Sequence, residues 1–324
     1  MSLRDLGGTL WHLFGKRFRT VAGVATVAGI AVALWGQRQA LADFDWRLAP
    51  LSFLGAIGLF AVAPFVQALS FWLVLRFIAV PARLEEALLL WMRSFLLRYA
   101  PSGALAIVIR IRQRGRLAAS SEEIWAVTGY ENLAALCAGA FVVVAAFAAD
   151  GSWPPLAAIA IAAVALALAV AARPAFFRCL SARLVEKRGL ALPTLLRGRL
   201  LIVVIAVNSL GWLATGAAAY LLVHALAAHA EISFAWLTGV YAFAWLLGFV
   251  VPLLPGGLGL RDGTLATFLA TRIDAGPATA LAIALRLANT LGELVAIALT
   301  EGVYWILRRI GVARALPTVT EVAP

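Results

Sequence analysis

The sequence predicts an all-α polytopic membrane protein: an inverted repeat with two re-entrant, broken-helix hairpins and about six full spans. Three observations predict it. The 324 residues are 63% hydrophobic and only 13% charged, with a mean hydropathy of +0.95, whereas a soluble domain sits near half apolar and a quarter charged. Two apolar stretches are each interrupted by proline and glycine beside arginine. These are Arg98-Tyr99-Ala100-Pro101-Ser102-Gly103 and Pro252-Leu253-Leu254-Pro255-Gly256-Gly257-Leu258-Gly259-Leu260-Arg261-Asp262-Gly263. Finally, every strongly basic loop falls on one side of the membrane only if both interrupted stretches turn back on themselves.

Taken in order, residues 1–19 mix Arg4, Lys16, Arg17 and Arg19 with Leu10, Trp11, Leu13, Phe14 and Phe18, which reads as a cytoplasmic interfacial segment. No cleavage site follows the first apolar run, so the span at 20–41 is expected to stay as an anchor. The acidic turn Asp43-Phe44-Asp45-Trp46 leads to a span at 48–76, and Pro81-Ala82-Arg83 turns the chain. Residues 84–109 are too interrupted for one clean crossing and precede Arg110, Arg112, Arg114 and Arg116. A hairpin dipping in from the cytoplasm keeps that basic loop beside Arg76 and Arg83, as the positive-inside bias demands. Spans at 123–149 and 156–172 flank Asp150-Gly151-Ser152-Trp153-Pro154-Pro155, and the loop 173–199 is the most basic connection. A span at 200–227, a second hairpin at 234–271 entered from outside, and a span at 277–307 ending at Arg308-Arg309 complete the chain. One transmembrane domain, 20–309, thus holds repeat one (48–149) and repeat two (200–307) in opposite orientation, followed by a cytoplasmic tail at 310–324. Both termini are expected inside a bacterial inner membrane.

The breaks carry the chemistry. A helix that restarts inside hydrocarbon presents unsatisfied N–H groups and the positive end of its dipole, which suits carboxylate or phosphate. The restarts are expected after Pro101-Ser102-Gly103 and after Pro255-Gly256-Gly257, meeting near mid-membrane. Ionisable residues at that depth are costly and default to function or to partnered structure. They are Arg98, Arg261, Asp262, Glu131, Arg286 and Glu293. Glu131 and Arg286 lie about 8 and 9 residues into their spans, roughly 12–14 Å deep. A Glu131–Arg286 pair between repeats, or Arg261 pairing with Asp262 or Glu293, is the structural alternative. The functional one notes that arginines 98, 261 and 286 plus two helix N-termini leave a surplus for a phosphate-bearing guest, which the arginine fork grips well. Asn208, Ser209, Thr215, Tyr130, Asn132, Asn289 and Thr290 line a cavity or make ordinary interhelical hydrogen bonds, the latter being more common.

Other classes find little support. Cys137 and Cys179 are the only cysteines, and His12, His224 and His229 have no ligand spacing, so no metal site or disulfide framework is expected. No nucleophile elbow, P-loop or dinucleotide fingerprint occurs, so neither a cofactor nor an enzyme is expected. The net charge of +11 sits in juxtamembrane loops that can attract anionic lipid, and nucleic acid is not an expected partner. Glu122-Glu123 at a span's cytoplasmic start complements the helix dipole.

Pro255-Gly256-Gly257-Leu258-Gly259-Leu260-Arg261-Asp262-Gly263 resembles the P-G-G-[LI]-G-x-R-[ED]-G signature of the flippase-like membrane family, which includes the transmembrane domain of lysylphosphatidylglycerol synthase. Arg93 with Arg98-Tyr99-Ala100-Pro101-Ser102-Gly103 resembles that family's R-Y-[VI]-P-G-G element, with Ser102 in place of a glycine. The resemblance covers nearly the whole chain and implies a translocase of lipids or lipid-linked headgroups with re-entrant helices. Its members are associated with aminoacylated phosphatidylglycerol, hopanoids and polyprenyl-linked sugars. Only a short tail follows Arg309, so lipid aminoacylation is not expected.

The leading expectation is a flippase in which Arg98, Arg261 and Arg286 hold the headgroup of a phospholipid or polyprenyl-linked lipid. Glu131, Asp262 and Glu293 pair with those arginines when the site is empty, or meet an amine on a zwitterionic lipid. Its rivals are a non-transporting, lipid-binding subunit that organises a partner lipid-synthesis enzyme, and a lipid-modifying enzyme using Glu131 or Asp262 as base. A homo-oligomer is open in each case.

Overall fold

A computed structural model describes residues 35, 38–43, 46–47, 49–95, 104–151, 198–250 and 259–310. Helices follow one another in the order α1 (Arg38–Asp43), α2 (Pro50–Phe77), α3 (Leu84–Phe95), α4 (Ala104–Arg112), α5 (Ser121–Asp150), α6 (Gly198–Leu226), α7 (Phe234–Val250), α8 (Leu260–Leu269) and α9 (Ala275–Arg309), with a 3-10 turn at Arg114–Leu117. Among the described residues there is no strand. Most of the predicted spans at 20–41 and 156–172, the 173–199 loop and the two terminal segments lie outside the described residues.

Local chemistry explains the boundaries. Pro50 opens α2 at a position where its missing N–H costs nothing. Ser120 caps α5 by accepting from the Glu123 N–H at 3.1 Å, while the Glu123 carboxylate accepts from the Ser120 N–H at 2.7 Å. Glu123 is therefore the acidic half of a capping box. Gly151, at φ +73°, ends the same helix. Helices α2, α5, α6 and α9 are each long and apolar enough to cross a membrane. Leu51, Phe141, Ile202, Leu210, Leu287 and Leu299 stand exposed on them, which hydrocarbon solvates and water would not. This is a multi-pass membrane protein.

Two halves share one plan of long, short, short, long: α2–α5, then α6–α9. They interlock. The closing helix of the first half, α5, packs on α6 and α7 of the second, and α9 packs on α2 and α3 of the first. Gly292 makes the α9–α2 approach possible, since a Cβ there would lie 2.5 Å from the Phe60 Cβ and 2.9 Å from the Ala61 nitrogen. Membrane helices gain van der Waals contact through such small residues.

Contacts define two ends. At one, the N–H groups of Arg47 and Ala49 donate to Leu226 and Ala225 carbonyls at 3.1 and 3.0 Å. There too the Ser233 hydroxyl donates to Asp150, which also pairs with Arg272 at 3.6 Å. The helix ends remote from these contacts carry Arg76, Arg83, Arg112, Arg114, Arg116, Arg199, Arg308 and Arg309.

Candidate functional site

Along α5 the buried residues Ile124, Val127, Glu131, Ala134 and Ala138 recur at helical spacing, so Glu131 occupies a core position on an otherwise apolar stripe. It is held from both sides. Its Oε2 accepts from Arg110 Nη1 at 2.8 Å, and its Oε1 accepts from the indole Nε1 of Trp91 on α3. Arg110 is equally buried. It also donates to the Ser94 and Thr128 hydroxyls at 2.8 and 3.3 Å, and its guanidinium lies 4.8 Å from the Phe71 ring centroid. The ion pair is thus satisfied by hydrogen bonds and lined by rings, which is what a charge pair in hydrocarbon requires.

The second half holds a related cluster. Gly259 precedes α8 at φ +86°, a backbone conformation that glycine adopts without the Cβ penalty. Arg261 and Asp262 follow in the first helical turn. Arg261 is buried and donates through Nη2 to the Tyr241 hydroxyl on α7, with its guanidinium 5.0 Å from that ring's centroid. Tyr241 donates onward to Asn289 Oδ1 at 3.3 Å, and Asn289 Nδ2 donates to Glu293 Oε1 at 2.6 Å. A polarised chain therefore runs from guanidinium to carboxylate, each bond strengthening the next. Beside it, Arg286 on α9 pairs with Asp262 at 3.5 Å.

The two clusters are sign-inverted. In the first half the short helix supplies the arginine (Arg110) and the long helix the carboxylate (Glu131); in the second the short helix supplies Asp262 and the long helix Arg286. Trp91 and Tyr241 correspond as well. Each lies seven positions after its helix's first residue, Leu84 or Phe234, and each hydrogen-bonds the charged cluster of its own half.

Between α2, α6, α7 and α9 lies a cavity of about 30 Å³, with Gln67, Asn208, Thr215, Tyr241, Asn289 and Glu293 on its wall. At roughly 10–15 Å³ per water that is room for about two waters. Asn208 also donates to the Ser70 hydroxyl at 2.9 Å, joining α6 to α2. Asn132, Ser209, Thr215 and Thr290 each donate to the carbonyl four residues back in their own helix. These four bonds stay within single helices, so the interhelical hydrogen bonds expected of these residues are corrected to bonds along their own helices.

Several expectations need correction. Glu131 and Arg286 do not pair with each other: each takes a partner from the short helix of its own half, because α4 and α8 lie alongside α5 and α9. Asp262 pairs with Arg286 and not with its neighbour Arg261, which reaches Tyr241 instead. Helix α8 opens at Leu260 with Gly259 as its N-cap, downstream of the expected break at Pro255-Gly256-Gly257. Arg98, Pro101, Ser102, Gly103, Pro255, Gly256 and Gly257 lie outside the described residues. Arg110, Trp91 and Tyr241 were missed. Arg110 follows the apolar run Ala104–Ile109 directly, and continuing that helix by one residue would have placed it inside. Superimposing the starts of the two short helices would have aligned Trp91 with Tyr241. Among the described residues, no group of three His, Cys, Asp or Glu is placed to hold a metal.

A family model described as the lysylphosphatidylglycerol synthase TM region matches residues 20–297. No curated protein matches the chain.

Proposed function

Because the chain belongs to the lysylphosphatidylglycerol synthase TM-region family, we propose that it translocates a lipid or a lipid-linked headgroup across a bacterial inner membrane, without modifying it. The observation that carries this reading is the cluster of buried Arg261, Tyr241, Asn289 and Glu293 with the partly buried Asp262 and Arg286, at the start of a short helix inside an apolar bundle. A bundle that needed only packing would gain nothing from four ionisable groups there, since each is expensive in hydrocarbon.

In this proposal α3–α4 and α7–α8 are re-entrant pairs. Each is too short to cross twice, and support comes from the contacts at the helix ends. Helix α2 finishes, and α5 begins, away from the end where Arg47 meets Leu226 and Asp150 meets Ser233. The pair between them therefore leaves from and returns to the basic end. By the same argument α7–α8 leaves from and returns to the opposite end, where Arg272 meets Asp150. The basic end is cytoplasmic by the positive-inside bias, and both termini lie there.

The resting charges are paired, so a guest enters by exchanging partners. The Arg286–Asp262 pair, at 3.5 Å, is longer than the 2.8 Å Arg110–Glu131 pair and is the natural one to open. A headgroup phosphate takes Arg286 and Arg261, and the released Asp262, with Glu293, meets an amine or hydroxyl on the same headgroup. The acyl tails stay in lipid while one repeat rocks against the other. Arg98 and the Pro101-Ser102-Gly103 and Pro255-Gly256-Gly257 breaks are assigned to the same headgroup path.

Purified protein in vesicles carrying a headgroup-labelled phospholipid tests this. Wild type is expected to expose inner-leaflet label to an external quencher, and Arg261→Ala to slow exposure about 10- to 100-fold, the loss of one charge-assisted hydrogen bond. Equal rates in the variant and wild type would refute the site.

A further inference from the structure

We infer that two polar latches, one toward each end of the bundle, hold the repeats together and open alternately. The first is the Arg93–Glu301 pair. Arg93 Nε and Nη2 donate to the two Glu301 oxygens at 2.6 and 2.8 Å, a bidentate fork that ties short helix α3 of the first half to long helix α9 of the second. It lies nine residues into α3 and eight before the end of α9, about 12–14 Å in from the basic end. The second centres on Asp150, the last residue of α5. It accepts from the Ser233 hydroxyl at the start of α7 and pairs with Arg272 in the α8–α9 turn at 3.6 Å. Arg272 lies over the Trp236 ring at 5.1 Å, and Ser233 also accepts from the Trp236 N–H at 3.0 Å.

The two latches share one plan, though not matching positions, under the internal repeat. In each, a carboxylate in the C-terminal part of a half's closing helix grips the short-helix pair of the other half. The halves meet along α2, α5, α6 and α9 as well, but rocking one repeat against the other parts α3 from α9 at one end, or α5 from the α7 start and the α8–α9 turn at the other, and these are where the polar ties sit. Both latches are closed in this structure, as expected of an occluded state. Arg93 and Glu301 are about a third exposed, so water reaches the pair once α3 shifts. The cost of parting the charges therefore falls as the basic end opens.

The role in transport rests on the function proposed above; the latching itself does not, and distance measurement separates the two. In protein with Cys137 and Cys179 replaced by alanine, spin labels at Gly115→Cys and Gly302→Cys report the basic end. Labels at Ala149→Cys and Thr271→Cys report the other. Glu301→Ala, and independently Arg93→Gln, is expected to lengthen the basic-end distance by several ångströms and leave the opposite distance short. Arg272→Gln is expected to do the reverse. Unchanged distances in both basic-end variants, or both ends lengthening together, would overturn the inference. If the distances behave as stated while vesicles expose no lipid, the latches stand and the transport proposal falls.

Discussion

Arg110→Met is expected to be among the most damaging single substitutions in the bundle, and its cost follows from what it leaves behind. The guanidinium sits 2.8 Å from Glu131, with both side chains only 7% exposed. Removing it strips Glu131 of its counter-ion and leaves the Trp91 indole as the described donor. An uncompensated buried charge costs about 3–5 kcal/mol. Glu131→Gln keeps an acceptor for Trp91 but strands the Arg110 charge, and a similar loss is expected. The double variant Arg110→Met with Glu131→Gln removes both charges and fills the space with groups of similar size. Its loss is expected to fall short of the summed single losses by about 2–3 kcal/mol. Equilibrium unfolding of all four proteins in the same detergent measures this. Additive single losses would refute the claim that these residues form one buried, mutually dependent pair.

Three further substitutions probe other joints. Gly292→Ala forces a Cβ into the α2 backbone near Phe60 and Ala61 and is expected to cost about 1–3 kcal/mol by overpacking, seen as a lower unfolding midpoint. Ser120→Ala removes the acceptor of the Glu123 N–H and is expected to cost about 1 kcal/mol in the same assay; no change would deny the cap its role. Tyr241→Phe cuts the link between Arg261 and Asn289 and is expected to cost about 1–3 kcal/mol and to slow label exposure in vesicles. Unchanged stability and transport would show the relay to be idle.

The long helices were legible because their signals are local. The span predicted at 123–149 is α5 at Ser121–Asp150, bounded by a capping serine and a left-handed glycine that any reader of the chain can find. Helix α4 is described from Ala104 onward, and the break expected at Pro101-Ser102-Gly103 lies outside the described residues. The partners of the deep charges were not legible. Helical spacing puts Glu131 and Arg286 at similar depths, but which arginine faces which carboxylate depends on how α4 and α8 lie against α5 and α9, and that is tertiary. Arg110 was hidden by its company. With Arg112, Arg114 and Arg116 just after it, it reads as one more loop charge, although it is buried while Arg112 and Arg114 are exposed. Trp91 and Tyr241 read as ordinary aromatic residues because nothing in the linear sequence marks a ring that will touch a charge. Glu301 was overlooked for the opposite reason, standing close to the helix end in sequence yet meeting Arg93 well inside the bundle.

The central claim is that the charges of the second cluster receive a headgroup and do more than hold helices together. Exchanging the pair, with Asp262→Arg and Arg286→Asp in one protein, tests it most directly in the labelled-lipid vesicle assay, with unfolding followed in parallel. The account predicts near-normal stability, because the ion pair reforms in reverse, but transport reduced at least about tenfold, since one charge-assisted contact is worth 1.5–3 kcal/mol. Full transport by the exchanged protein would contradict it and leave the pair a structural tie.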